Sequence, residues 1–353
     1  MYPCININLS KLKENCIKMK EYARKNGIDI IMPVLKVAAG DLEIAKVFEE
    51  SGFDYIGDSR IKNLKLYSKI SAKKVLVRLP SLSEVKEVIT YSDISLNSEL
   101  KTILALNIEA KRQNKKHEII FMYDLGDLRE GTFYKDHYIE EIRLVESLEN
   151  IVLKGIGTNL TCYGGLVPSK NILNRLMEIQ KNIEADGNIK LDIISGGNSS
   201  TVYLFGKNEI PIGINSLRIG EAIFFGKETA YSTDIPGFNY DIFDLEAEII
   251  ECKLKPSYPD GDISINSFGE KVDIEDKGLM KRAILAIGKQ DVMLQNLTPY
   301  DKKLEIIGGS SDHLIVNVTN TNYEVGNTIK FRVNYPGLLH LMNSPYVHRN
   351  YIK

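Results

Sequence analysis

Lys36 closes an unbroken apolar run, Ile30-Ile31-Met32-Pro33-Val34-Leu35, and the small-residue stretch Val37-Ala38-Ala39-Gly40-Asp41 follows at once. Such a run reads as a parallel strand buried on both faces, and an amine at its tip is costly unless it has a task. A desolvated lysine amine condenses with carbonyls, as a pyridoxal phosphate (PLP) enzyme requires. The competing reading is a lysine emerging into solvent at a strand end. In Ser195-Gly196-Gly197-Asn198-Ser199-Ser200-Thr201 the glycines let backbone approach a ligand, and hydroxyls with N–H groups at a helix start form an anion cradle. The Gly220 and Glu221 amides of Leu217-Arg218-Ile219-Gly220-Glu221-Ala222 extend that cradle. Each segment alone reads equally well as a glycine turn capping a helix. Together they favour a phosphate-bearing ligand.

A third cluster, Asp124-Leu125-Gly126-Asp127-Leu128-Arg129-Glu130-Gly131, offers Arg129 for bidentate capture of a carboxylate. Its rival is an internal pair with Asp124, Asp127 or Glu130. Thr158-Asn159 sets a polar amide at another strand end, where Asn is also ordinary turn chemistry.

These groups need a scaffold that collects strand ends. Strand-like segments fall at residues 30–36, 55–58, 74–79, 94–96, 118–124, 151–158, 190–195 and 216–219. Helical patterns fall between them at 42–51, 61–68, 83–90, 99–112, 138–148 and 172–184, with Ser83 and Ser98 as helix starts. Strict alternation predicts a (β/α)8 TIM-like barrel over residues 10–228, whose chemistry sits at the C-terminal strand ends. An open doubly wound sheet would want a Gly-rich nucleotide loop after its first strand, and residues 37–41 supply none. After about residue 231 the segments become β-rich and turn-separated. An all-β C-terminal domain is expected over 229–353, joined by an opening strand within 1–9.

A chain of 353 residues, 43% hydrophobic and 26% charged, suits a soluble protein of that size. With 45 basic and 47 acidic side chains it has no footprint for nucleic acid or an anionic membrane, and no run spans a bilayer. The first residues lack a signal-peptide pattern, and Cys4, Cys16, Cys162 and Cys252 are scattered, so a reducing cytoplasm is expected. None of the 5 histidines forms a metal-type pair, so no metal site is expected.

The whole chain resembles the alanine racemase-like, fold type III PLP enzymes, most closely their ornithine racemase branch. The resemblance is carried by Val34-Leu35-Lys36-Val37, the 124–131 cluster, Gly157-Thr158-Asn159-Leu160-Thr161-Cys162-Tyr163-Gly164-Gly165, Ser195-Gly196-Gly197-Asn198-Ser199-Ser200, Leu217-Arg218-Ile219-Gly220-Glu221-Ala222, Ala286-Ile287-Gly288-Lys289-Gln290-Asp291-Val292, Ser310-Ser311-Asp312-His313-Leu314 and residues 335–347. It implies a PLP-dependent amino-acid racemase, with Lys36 as the cofactor-bearing lysine. It implies Ser199, Gly220, Glu221 and Tyr335 as the phosphate site, with Gly197 and Asn198 also binding the cofactor, Arg218 at the pyridine nitrogen and Asn159 against the ring. Arg129 falls near the substrate carboxylate. Asp312 matches an aspartate presented to a partner subunit, which implies a head-to-tail homodimer with shared sites.

Three positions depart from the alanine racemase pattern. Met122 replaces an often carbamylated lysine, Gly40 replaces a phosphate-binding tyrosine, and Phe268 aligns with the tyrosine that acts as second base. His313, an imidazole that titrates near neutrality, is nominated for the vacant role, with Asp312, Lys289 and Tyr258 as alternatives. The branch implies ornithine or a similar basic amino acid, whose side-chain ammonium finds candidate partners in Glu221, Asp127, Glu130 and Asp291. Other readings are an alanine or broad-specificity racemase, a fold type III decarboxylase or aldolase, and a non-catalytic PLP carrier. The long β segment argues against the carrier.

Overall fold

Short apolar strands covered on both faces pair in parallel, because each needs a helical crossover to reach the next. The computed structural model describes every residue except Asn188, Ser267, Glu270, Val272 and Asp273. Its eight barrel strands are Ile30–Pro33, Tyr55–Asp58, Lys73–Leu76, Ile94–Asn97, His117–Asp124, Ile151–Thr158, Ile193–Ser195 and Ser216–Ile219. From the second strand onward each pairs with the next, and the eighth returns to the first. A bridge between Val34 and Gly57 joins the first and second strands, and the ring is the expected (β/α)8 barrel. Thr132–Phe133 adds a short parallel strand beside the fifth.

Ile94 with Leu96, and Ile120 with Met122, lie two residues apart and therefore face one side of their strands. They join Met32, Val75 and Ile193 in one buried cluster. Truncating Ile120 to Ala would cost about 2–5 kcal/mol. Outside the strands, helix Lys170–Gly187 buries Ile172, Leu173, Leu176, Ile179 and Ile183, the face its periodicity predicts. This unit runs from Ser10 to Tyr240.

Several local expectations change. The first strand stops at Pro33, and Lys36 opens a short 3₁₀ turn, Lys36–Ala38, rather than ending the strand. Ala39 (φ 49°) and Gly40 (φ 82°) then turn the chain into helix Leu42–Glu50, which the Asp41 side chain caps by accepting from Ile44 N at 3.0 Å. Neither proposed serine caps a helix. Ser83 lies inside a 3₁₀ turn, and Glu99 precedes helix Leu100–Arg112 without a capping bond.

The second unit comprises Met1–Leu9 and Asp241–Lys353. Its sheet runs Leu297–Pro299, Thr328–Val333, Phe243–Pro256, Leu279–Leu285, Leu314–Asn317, Glu305–Gly309, with each neighbouring pair antiparallel. Cys4–Asn8 pairs antiparallel with Phe243–Pro256 and parallel with His348–Ile352. The α-helix Tyr335–Asn343 belongs to this unit and is capped by Asn334 accepting from Gly337 N at 2.9 Å. No helix among the described residues is long and apolar enough to cross a membrane.

Candidate active site

The eighth strand carries a deeply buried cation. Arg218 is 4% exposed, and its Nη1 donates to Ser195 Oγ at 2.6 Å while Nη2 donates to the Thr158 carbonyl. Ser195 and Thr158 end the seventh and sixth strands, so three strand tips share one guanidinium. Gly157 makes room for it, since a Cβ there would lie 3.3 Å from Nη1. Burial pulls the Arg218 pKa down to about 10, with Glu130 opposing and Arg129 adding to the shift. The group stays charged at neutral pH. Thr158 Oγ1 is buried with no hydrogen-bond partner among the described residues.

Beside it, Ser199 Oγ accepts from Gly220 N and Ala222 N, each at 3.2 Å, at the start of the short helix Glu221–Phe225. Its hydroxyl hydrogen remains available to an anion. Gly197 holds φ 118° and its carbonyl accepts from Arg218 N at 3.0 Å, which joins the seventh and eighth loops. Asn198 fastens the same corner to the sixth, its amide donating to the Leu160 carbonyl at 2.9 Å.

The loop after the fifth strand folds tightly back. Asp124 Oδ1 accepts from Gly126 N and Leu128 N, and a Cβ on Gly131 would lie 2.5 Å from Asp124 N. Leu128 (φ 59°) is left-handed, and this geometry aims Arg129 and Glu130 together. Arg129 donates to both Glu130 carboxylate oxygens, with Nη2 to Oε1 at 2.6 Å. With its carbonyl turned toward Arg129, the Asn159 amide accepts from Nη1 at 2.9 Å and from Nε at 3.1 Å. The expected rivalry therefore resolves to Glu130, without removing Arg129 from Asn159. Asp127 is buried and accepts from Tyr163 N and Leu166 N at 3.1 and 3.0 Å. That use corrects Asp127 as a partner for a substrate ammonium.

Lys36 is exposed rather than desolvated, one residue beyond Leu35, whose N–H donates to Gly57 O at 2.7 Å. Burial raises the Glu221 carboxyl, and the Lys36 and Lys227 ammonium groups oppose that rise. At Gly40, a Cβ would lie 2.6 Å from Leu66 Cδ1, so the backbone there accepts no tyrosine. Met122 is fully buried in the barrel cluster. Sequence reasoning placed Thr158 and Ser195 in strand-end segments but missed that both hold Arg218. Their one signal was a polar residue ending an apolar run, as at Lys36.

The remaining predicted residues belong to the β unit. His313 Nδ1 lies 3.0 Å from Asp312 Oδ1, with Ser310 Oγ 3.3 Å from the same nitrogen. Lys289 N donates to Ser310 O at 2.9 Å, and Lys289 Nζ sits 4.2 Å above the Phe268 ring. A Cβ on Gly288 would lie 2.4 Å from Asp312 N, so that glycine permits the close approach of the two loops. Phe268, Lys289, Asp312 and His313 are thus grouped in one region, while Tyr335 opens the helix Tyr335–Asn343. Tyr258 is exposed. Asp291 is buried and accepts from Ser344 Oγ at 2.6 Å, which corrects it as an ammonium partner.

The alanine racemase N-terminal domain family matches residues 7–228. The chain is 48% identical over 351 residues to an ornithine racemase from Acetoanaerobium sticklandii, covering 99% of each. It is 40% identical over 357 residues to a lysine racemase from Thermotoga maritima, again covering 99% of each. Among solved structures it is similar to an alanine racemase from Bartonella henselae with covalently bound pyridoxal phosphate, at TM-score 0.74 and 17% identity over 99% of each chain.

Proposed function

The chain belongs to the alanine racemase family, and from that premise we propose that it is a PLP-dependent racemase of ornithine or a closely similar basic amino acid. The observation that carries the cofactor assignment is the buried Arg218 guanidinium, held by Ser195 and Thr158 at the strand tips. A fixed positive charge suits an unprotonated pyridine nitrogen, because it disfavours a pyridinium. The Ser199 hydroxyl and the Gly220–Glu221 helix start suit a phosphate. The residues therefore fit the group. Lys36 would hold it covalently, with Gly197, Asn198 and Tyr335 assigned to the phosphate and Asn159 to the ring face. Bound PLP supplies the electron sink that makes a substrate α-hydrogen acidic.

The chain's own residues do the rest. Lys36 moves the α-proton on one face. Arg129, braced by Glu130 and Asn159, orients the substrate carboxylate. The opposite face needs a second proton carrier, assigned to His313 with Asp312 beside it, and Lys289 and Tyr258 in reserve. Those residues reach the site from a second copy in a head-to-tail homodimer. Glu221 is the carboxylate best suited to a substrate ammonium, since Asp127 and Asp291 hold hydrogen bonds of their own. A cytoplasmic setting accords with four cysteines that form no disulfide.

Hydrogen–deuterium exchange at Cα, measured in D2O over a panel of L- and D-amino acids, tests this reading. Ornithine should exchange fastest in both enantiomers, with lysine next and alanine far behind. Fastest exchange with alanine would transfer the assignment to an alanine racemase. Loss of carboxylate or aldehyde products would indicate a lyase, and no exchange at all a carrier. Borohydride reduction of the PLP-loaded chain should fix the pyridoxyl group on Lys36, and label on another lysine would overturn the site.

A further inference from the structure

Asp127 ties together two loops at the C-terminal end of the barrel. Residues 125–131 follow the fifth strand and carry Arg129, and residues 159–166 follow the sixth and begin with Asn159. Asp127, 1% exposed, bonds the second loop three times from within the first. Its Oδ2 accepts from Tyr163 N at 3.1 Å, its Oδ1 from Leu166 N at 3.0 Å, and its carbonyl from Gly164 N at 3.0 Å. A Cβ on Gly164 would lie 2.6 Å from the Asp127 carbonyl oxygen, so the two backbones touch there.

Each loop also braces itself. Asp124 Oδ1 turns the first one back by accepting from Gly126 N and Leu128 N. In the second, Thr161 takes the left-handed region (φ 68°), and its hydroxyl donates to the Leu166 carbonyl at 2.9 Å. Asp127 does what these bonds do not, because it fixes one loop against the other. The pair those loops must align is Arg129 and Asn159, whose carbonyl accepts from the guanidinium. Asp127 stands two residues before Arg129, and Thr161 two residues after Asn159. Burial opposes the Arg129 charge, while Glu130, Cys162 and Asp127 favour it. An amide in place of the Asp127 carboxylate would offer one oxygen, and its nitrogen would face the second N–H. The position therefore calls for a carboxylate.

We propose that Asp127 is a positioning residue for recognition of the substrate carboxylate, a latch that holds the Arg129 loop in register with the Asn159 loop. It acts on the substrate through Arg129 and is indifferent to the substrate side chain. The inference rests on Arg129 being the carboxylate clamp proposed above.

Asp127→Asn keeps the size of the side chain and removes its charge and one acceptor. In the PLP-loaded enzyme it should lower kcat/KM for ornithine by about 10²-fold, the cost of a misplaced clamp, and mainly through KM. Cofactor affinity, read by absorbance titration, should be unchanged. Putrescine, which is ornithine without its carboxylate, should bind both chains equally, judged by the change it causes in the visible spectrum of the cofactor. In an Arg129→Gln background the same substitution should add nothing, since both changes remove one contact. In the cofactor-free chain, amide hydrogen exchange should show residues 125–131 and 159–166 losing protection together. If Asp127→Asn does not fold, Asp127→Ser, which retains a hydroxyl acceptor, takes its place. Equal losses for ornithine and putrescine, or additive effects with Arg129→Gln, would overturn the proposal. Unchanged protection in both loops would overturn the latch whatever reaction the enzyme performs. Absence of Cα exchange in the native PLP-loaded chain would instead overturn the functional reading.

Discussion

The two ends of the barrel strands use their charges in opposite ways. Toward the N-terminal ends, Lys73 pairs with Glu118 at 3.0 Å and Lys154 with Asp192 at 2.7 Å, all of them open to water. Toward the C-terminal ends, Arg218 and Asp58 are buried, and Thr158 Oγ1 and Asp58 Oδ2 have no partner among the described residues. Water satisfies the first set whatever the partners do, so such pairs contribute little. The second set is held at a free-energy cost by the surrounding strands, and that imbalance marks the end built for a ligand.

The sharpest way to break the contrast is Arg218→Leu. It removes a buried charge yet leaves Ser195 Oγ and Thr158 O without their donor, so stability should fall by about 1–3 kcal/mol. Turnover should fall far more, by roughly 10²–10⁴-fold, with weakened PLP binding measured by absorbance titration. Equal losses in stability and activity would reduce Arg218 to a packing element. Next in size is His117, buried at the start of the fifth strand with Nε2 2.8 Å from Ser95 Oγ. Burial depresses its pKa from 6.5 to about 4. The native state therefore binds fewer protons than the unfolded chain between those values, so its stability is full above pH 6.5 and declines as pH falls. The decline should reach about 3 kcal/mol below the folded value. Urea midpoints against pH should lose this slope in His117→Gln. Asp58, whose folded pKa is raised, tilts an overlapping window the other way, so the difference between the two chains is the readout. Smallest of all is Glu118→Gln, expected to change the urea midpoint by less than about 1 kcal/mol despite its pair with Lys73. A larger loss would show that the exposed ends matter more than their solvation suggests.

Much of this scaffold was legible because parallel strands and amphipathic helices repeat on different periods. Lys36 stood out as an amine after an apolar run. Asp58 did not, because an aspartate after glycine reads as turn chemistry, and its burial depends on strands far away in sequence. Glu130 was one of three rivals for Arg129. The choice follows from Leu128 in the left-handed region and the close pass of Gly131 over Asp124, neither visible in composition. Helix Tyr335–Asn343 went unread because Pro336-Gly337 resembles a turn. Yet proline in the first turn behind an Asn334 cap is an ordinary helix start. The first strand reads too long for a related reason: apolar character continues to Leu35, while the path bends at Lys36.

The parallel pairing of Cys4–Asn8 with His348–Ile352 has a consequence for the order of assembly. Asn350 donates to Asn6 at 2.7 Å across 344 positions of chain. At ribosomal speeds of about 5–20 residues per second, Asn6 leaves the exit tunnel tens of seconds before that partner exists. Residues 10–240 are contiguous and can close their ring during that interval, whereas the sheet containing Cys4–Asn8 cannot be finished until residues 348–352 have been made. Cys4–Asn8 thus waits longer for its parallel partner than the barrel strands wait for theirs, and its unpaired edge is the segment a chaperone would have longest to guard.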